Sequence, residues 1–147
     1  MKSILLILVA VLSMNYAYSQ KISESQVPAP VKAKFQVLHP DIKKVSWIKH
    51  KKGGYEAEFK QNNTEFGVSI DSIGNLIETE MDMKVSELSK EIHEYVAKNY
   101  PNHIITEAAQ ITYTDGKPMY EVEITKEKES ADLLFDSSFK FVKKGHF

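Results

Sequence analysis

The chain has no cysteine, so neither a disulfide framework nor a thiol nucleophile is available to it. A bacterial lipoprotein anchor also needs a cysteine at the cleavage site, so we do not expect lipid attachment. The chain is about the length of one domain and can bury an ordinary core without covalent cross-links.

Arginine is absent as well, and every basic side chain except histidine is a lysine. The planar guanidinium fork that binds carboxylates and phosphates in a bidentate manner is therefore missing. Without Lys2, eighteen lysines stand against twenty acidic residues, which gives a net charge of −2. No positive excess exists to neutralise a phosphate backbone, so nucleic acid is not an expected partner.

Long apolar runs are missing except at the start, where Ile4 to Leu12 are all apolar. Nine residues are too few to span a bilayer core, which needs about twenty. Lys2 precedes the run and a small-residue pattern ends at Ser19, so residues 1–19 are predicted to be a secretory signal peptide. We expect a soluble exported protein, periplasmic or extracellular, with no membrane association after cleavage.

Two segments with helical spacing lie sixty-one residues apart. Their apolar residues fall on one stripe of a helix. Each segment ends near a proline, Pro40 in the first and Pro101 in the second. The stripes are Val27, Val31, Phe35 and Leu38 in the first segment, and Leu88, Ile92, Tyr95 and Val96 in the second.

Alternation of period two follows each helix, and "GYEAEF" at residues 54–59 returns as "MYEVEI" at 119–124. Such alternation predicts half-buried strands separated by turns rich in Gly, Asn and Asp. The predicted strands are 45–48, 54–60, 65–71 and 75–80, then 108–114, 119–126, 131–136 and 139–143.

These patterns predict an α+β protein built from two tandem units. Each unit is one helix followed by a four-stranded antiparallel meander, with the two sheets side by side and the helices packed on one face. The predicted organisation is a signal peptide at 1–19, a linker at 20–26, a first unit at 27–82 and a second at 83–147.

The first half of the chain contains the stretches "VP", "HPDIKKVSW", "GYEAEF" and "DSIGNL", and the second half contains a second set of similar stretches. On the basis of these stretches, the chain resembles the PepSY-like family of "putative beta-lactamase-inhibitor-like" proteins. The resemblance covers Val27 to Lys143. It implies an exported bacterial protein with tandem helix-plus-sheet units that binds or inhibits another protein. The second set departs from the pattern, because Phe139 stands where the first has Gly74.

Motifs for catalysis or for a cofactor are incomplete. "HEYVA" at His93 lacks the second histidine of a zinc-protease helix, and no G-x-S-x-G elbow or phosphate-binding glycine loop occurs. The "DSIGN" stretch at Asp71 fits a hairpin turn better than a calcium loop. His39 and His103 lie near the predicted helix ends, where a cation suits the dipole. We expect no catalytic residue, no resident metal and no cofactor.

Paired carboxylates are the remaining candidates: Glu56 with Glu58, and Glu121 with Glu123. Residues two apart on a strand share a face, so both pairs are predicted on the side opposite the core. Such alternation is the normal signature of a half-buried antiparallel sheet, so a solvated strand face is the favoured explanation of this pattern by itself. We interpret the four as a partner-binding surface for an unknown protein or peptide, with Glu78, Glu80 or Asp82 nearby. The alternatives are weak divalent-metal binding through the same carboxylates and a histidine and, least favoured, hydrolysis.

Overall fold

The computed structural model describes residues 20–50 and 53–144, so the predicted signal peptide lies outside the described residues. Neither helix in this part of the chain is long and apolar enough to cross a membrane. The strands are β1 (Gln20–Ile22), β2 (Ser46–Lys49), β3 (Tyr55–Gln61), β4 (Thr64–Ile70), β5 (Leu76–Asp82), β6 (Ile104–Tyr113), β7 (Pro118–Lys126), β8 (Glu129–Phe135) and β9 (Phe141–Lys144). The α-helices are α1 (Ala29–Leu38) and α2 (Lys90–Asn99), and a short 3-10 turn precedes each.

Two apolar clusters form the core, and each helix buries the stripe predicted from its spacing. In the first cluster, Val31 and Phe35 of α1 pack with Phe59 and other strand residues. In the second, Ile92 and Val96 of α2 pack with strand residues that include Val122, Ile124 and Leu133. Leu38 is the exception in the predicted stripes, because it is 37% exposed at the end of α1.

The prediction of two helix-plus-four-strand units is wrong. The described residues form one nine-stranded antiparallel sheet in which the strands lie in chain order, with only two short α-helices. β5 pairs directly with β6, so no sheet boundary separates the two halves. Backbone N–H and C=O groups at a free strand edge need partners, and this pairing provides them.

The repeat in the structure starts with a strand. β1, a 3-10 turn, α1 and β2 have the same order as β5, a 3-10 turn, α2 and β6. In both cases the two strands that flank the helix are antiparallel neighbours. Residues 20–22, which are predicted to belong to a linker, instead form the edge strand β1. Strand β5 is therefore the last strand of the first repeat and also the first strand of the second repeat.

The turns before β5 and β9 share one construction, which explains how Phe139 replaces Gly74. Asp71 accepts backbone N–H groups through Oδ1 in the first turn, as Asp136 does in the second. Gly74 has φ 95° and Phe139 has φ 61°, so the left-handed conformation is kept without glycine. The Phe139 ring lies 5.2 Å from that of Tyr120, a contact that glycine lacks.

His103 occupies the place after α2 that Ile42 occupies after α1. The backbone N–H of each donates to the carbonyl of the helix C-cap residue, Tyr100 or His39. Ile42 packs against the first apolar cluster. The Nδ1 atom of His103 is buried and has no hydrogen-bond partner, which disfavours the folded state. His39 also differs from the expected cationic cap, because burial lowers its pKa.

We predict that His103→Ile raises the free energy of unfolding by about 1 kcal/mol, because it removes an unsatisfied buried nitrogen. Urea denaturation of the two proteins measures the change. The reciprocal variant Ile42→His should lower the free energy of unfolding, since it places a polar ring against the first apolar cluster. A less stable His103→Ile variant would contradict this account of the site.

Candidate functional site

One face of the sheet carries half of the acidic residues of the chain. The core occupies the face that packs on the helices, so alternate residues of each strand point to the opposite face. Following the strand register from β3 to β8 places ten of the twenty acidic residues there, and we call this surface the acidic face. They are Glu56, Glu58, Glu65, Glu78, Glu80, Asp82, Glu107, Glu121, Glu123 and Asp132.

The four carboxylates proposed from the sequence share this face but form two separate pairs. Glu56 and Glu58 lie on β3, and Glu121 and Glu123 lie on β7. Three strands stand between β3 and β7, a distance of roughly 19 Å at the usual strand spacing. β5 is the middle strand of these three.

Apolar side chains form a floor under the acidic face. Ile48, Ala109, Ile111 and Leu134 point away from the helices and belong to neither apolar cluster. All four are nonetheless buried, and Ile111 is only 4% exposed. Larger neighbouring side chains therefore cover this floor, and the face is not simply a solvated row of charges.

Two hollows open on the acidic face. The larger has a volume of about 570 Å³ and includes Glu107, Glu121 and Asp132 in its lining. The smaller has a volume of about 320 Å³ and includes Glu56 and Glu58. Glu65, Glu80 and Asp82 line both hollows, so the two hollows adjoin each other at the middle of the face.

Glu80 stands at the centre of this arrangement. In the sheet register it lies between Gly67 of β4 and Ile111 of β6, neither of which offers a polar side chain. Burial therefore raises the pKa of Glu80, and the surrounding negative charges raise it further, to about 7. The charges that contribute are, in decreasing order, those of Glu121, Glu56, Asp82 and Glu78.

The pKa values of three neighbouring carboxylates are also raised. Burial is the largest cause of the raised pKa of Glu56, Glu78 and Asp82. For Glu56 the opposing influence is His50, whose Nε2 lies 3.0 Å from Glu56 Oε2. For Glu78 a hydrogen bond from Tyr113 opposes the effect of burial. Glu56, Glu78, Glu80 and Asp82 thus hold their protons more tightly than free carboxylates do.

Gly67 gives Glu56 the space to lie across the sheet. A Cβ atom placed on Gly67 would come 2.8 Å from Glu56 Oε1. The Glu56 side chain is accordingly only 19% exposed although it belongs to the outer face. Absence of a side chain at Gly67 thereby brings the β3 carboxylate closer to β5.

Metal binding through these carboxylates has no geometric support. Within residues 20–50 and 53–144, no group of three or more His, Asp or Glu side chains is placed to hold a metal ion. Glu123 is instead engaged by the Thr106 hydroxyl, which donates to Glu123 Oε1 at 2.7 Å. Divalent cations prefer six or more oxygen ligands at set distances, which separated strand-face carboxylates do not supply.

Glu78, Glu80 and Asp82 are predicted from the sequence only as neighbours of the two pairs, whereas the structure places them in the middle of the face. Their alternation within "NLIETEMD" predicts a shared face, as it does for the other pairs. The signal that was missed is the β5–β6 pairing, which sets these residues between the two proposed pairs.

The chain matches one family model and several solved structures. The model described as "Putative beta-lactamase-inhibitor-like, PepSY-like" matches residues 14–78 and 71–143, so part of β5 belongs to both matches. The resemblance seen in the sequence is confirmed. No curated protein matches the chain.

Solved structures of Bacteroides proteins share the fold at low sequence identity. A DUF2874 family protein from Bacteroides uniformis has a TM-score of 0.69 at 18% identity, over 80% of this chain and 87% of that one. A BLIP-like protein from Bacteroides fragilis gives 0.63 at 17%, over 80% and 84%. A protein from Bacteroides eggerthii described as "putative periplasmic" gives 0.70 at 14%, over 80% and 87%.

We predict that stability falls as pH rises from about 4.5 to 7, because only the native state retains the Glu80 proton in that window. Glu80→Gln should raise the free energy of unfolding by on the order of 1–2 kcal/mol at pH 8 and by little at pH 4. Urea denaturation at the two pH values measures both effects.

The matched control is Glu129→Gln, which removes a charge from an exposed position at the end of the β7–β8 hairpin. Its effect on the free energy of unfolding should be small at both pH values. An equal effect of Glu80→Gln at pH 4 and pH 8 would contradict the assignment of the raised pKa to Glu80.

Proposed function

Because this chain belongs to the PepSY-like, beta-lactamase-inhibitor-like family, we propose that it is an exported, non-enzymatic binding protein. Its partner is another envelope or secreted protein, whose activity it modulates, and it binds that partner through the acidic face. The observation that carries the proposal is the concentration of ten carboxylates on one side of a continuous sheet, above a buried apolar floor.

Export is supported by two observations. Residues 1–19 have the composition of a signal peptide, with Lys2 ahead of a nine-residue apolar run. The Bacteroides eggerthii protein with a similar fold is described as "putative periplasmic".

Binding rather than catalysis is supported by the character of the face. Its hollows are broad and shallow parts of an open sheet surface, and the family description refers to inhibition rather than to a reaction. A raised pKa also occurs in ion clusters with no catalytic role.

The charge of the face indicates the charge of the partner. Among the described strand residues, the lysines on the same side by register are Lys21 and Lys143 on the outer strands and Lys60 on β3, and Lys84 also lines the larger hollow. Lys60 already pairs with Glu65 at 3.5 Å. Ten carboxylates against these few cations leave a strongly negative surface. A partner segment rich in lysine or arginine would be attracted over a distance and selected by this surface.

The test uses the mature chain from Gln20 as bait for envelope and secreted extract at low and high salt, and captured proteins are identified by mass spectrometry. We expect a specific protein with a basic surface to be captured at low salt and released at high salt. The variant Glu56/Glu58/Glu121/Glu123→Gln should lose at least tenfold in affinity for that protein, since it neutralises both outer pairs.

A charge-matched control separates this site from a general effect of net charge. The variant Glu24/Glu91/Glu94/Glu129→Gln removes the same number of charges from exposed positions off the acidic face. It should retain the captured protein. Equal loss in both variants, or capture that survives high salt, would contradict the acidic face as the binding site.

A further inference from the structure

The protonation of the acidic face changes in a pH range where lysine and arginine stay charged. Half-buried carboxylates that crowd one another favour the protonated form, whereas a bound cation favours the ionised form. Proton binding and cation binding to the same carboxylates therefore oppose each other through linkage.

The crowding is a property of the sheet register. The strands on both sides of β5 contribute neighbours of Glu80. Gly67 on β4 and Ile111 on β6 lie directly opposite it. Glu65 is two residues from Gly67, and Tyr113 is two residues from Ile111. Glu56 and Glu121 approach from the next strands, β3 and β7. Glu78 and Asp82 flank Glu80 on β5 itself. The basic side chains beside this group include His50, which contacts Glu56, Lys60, which contacts Glu65, and Lys84, which lines the larger hollow.

We propose that binding of a cationic partner to the acidic face is regulated by pH through the carboxylate group centred on Glu80, with capture near pH 8 and release near pH 5.5. This inference rests on the proposed function and adds the mode of regulation. Near neutral pH the centre of the face exchanges one proton for one positive charge of the partner.

The pH range follows from the structure. The pKa of Glu80 is about 7, and burial also raises the pKa of Glu56 and Glu78. Carboxylates on an ordinary solvated strand face would remain ionised down to about pH 4.5 and would give no response in this range.

The probe is an acetylated and amidated peptide of alternating lysine and serine, whose charge is constant below about pH 9. Its affinity for the mature chain is measured by calorimetry at constant ionic strength. We expect binding about tenfold weaker at pH 5.5 than at pH 8, because most of the protein then carries the Glu80 proton. In parallel, carbon-13 NMR of the side-chain carboxyl groups should show Glu80 titrating near neutral pH.

Three variants identify the group responsible. Glu80→Gln should still bind the peptide through the other nine carboxylates but should lose most of the pH dependence. His50→Gln should retain it, which separates histidine ionisation from carboxylate ionisation. Glu129→Gln, which lies off the face, should behave as the parent in affinity and in pH dependence.

The outcomes separate this inference from the proposed function. If the peptide binds equally at both pH values, or if only His50→Gln abolishes the difference, the pH regulation is overturned and the binding face stands. Titration of Glu80 below pH 5 would also overturn the pH regulation and would leave the proposed binding face standing. If the parent does not bind the peptide at either pH, the cationic partner class fails, and the regulation that depends on it fails as well.

Discussion

The hydrogen-bonded pairing of β5 with β6 is the contact on which the acidic face depends. It joins the two halves of the chain into one sheet, so that the strand residues of both apolar clusters lie on one face and their alternates on the other. It also sets Glu80 beside Ile111 and within the electrostatic reach of Glu121. If the halves were separate, β5 and β7 would not share a surface and the carboxylates would remain two dilute groups.

Such a surface is costly to the folded chain, because burial and mutual repulsion both disfavour ionised carboxylates. A sheet that served only to cover a core would gain stability from mixed charges or small polar residues at these positions. An unfavourable arrangement of charges above a buried apolar floor is typical of a site that serves function rather than stability. Under the proposed function, the same features would give a partner a surface of one sign of charge and a response to pH near neutrality.

Much of the fold was accessible from the sequence, and the rest depended on long-range pairing. Periodicity placed both helices and most strands to within a few residues, and it put Glu56 and Glu121 on the same face. It did not reveal β1, since three residues are too few to show alternation. It did not reveal the apolar floor either, because Ile111 and Leu134 are recognised as outward-facing only when the register across strands is known.

The central claim is that the acidic face is the surface that meets a cationic partner. Chemical-shift mapping of the nitrogen-15-labelled chain, titrated with a lysine-rich peptide, tests it most directly. The account predicts that the shifted amides lie on β3, β5 and β7, with the largest changes around Glu80 and Glu121. Changes confined to α1, α2 or the turns at Asp71 and Asp136 would place the binding site elsewhere and contradict the account.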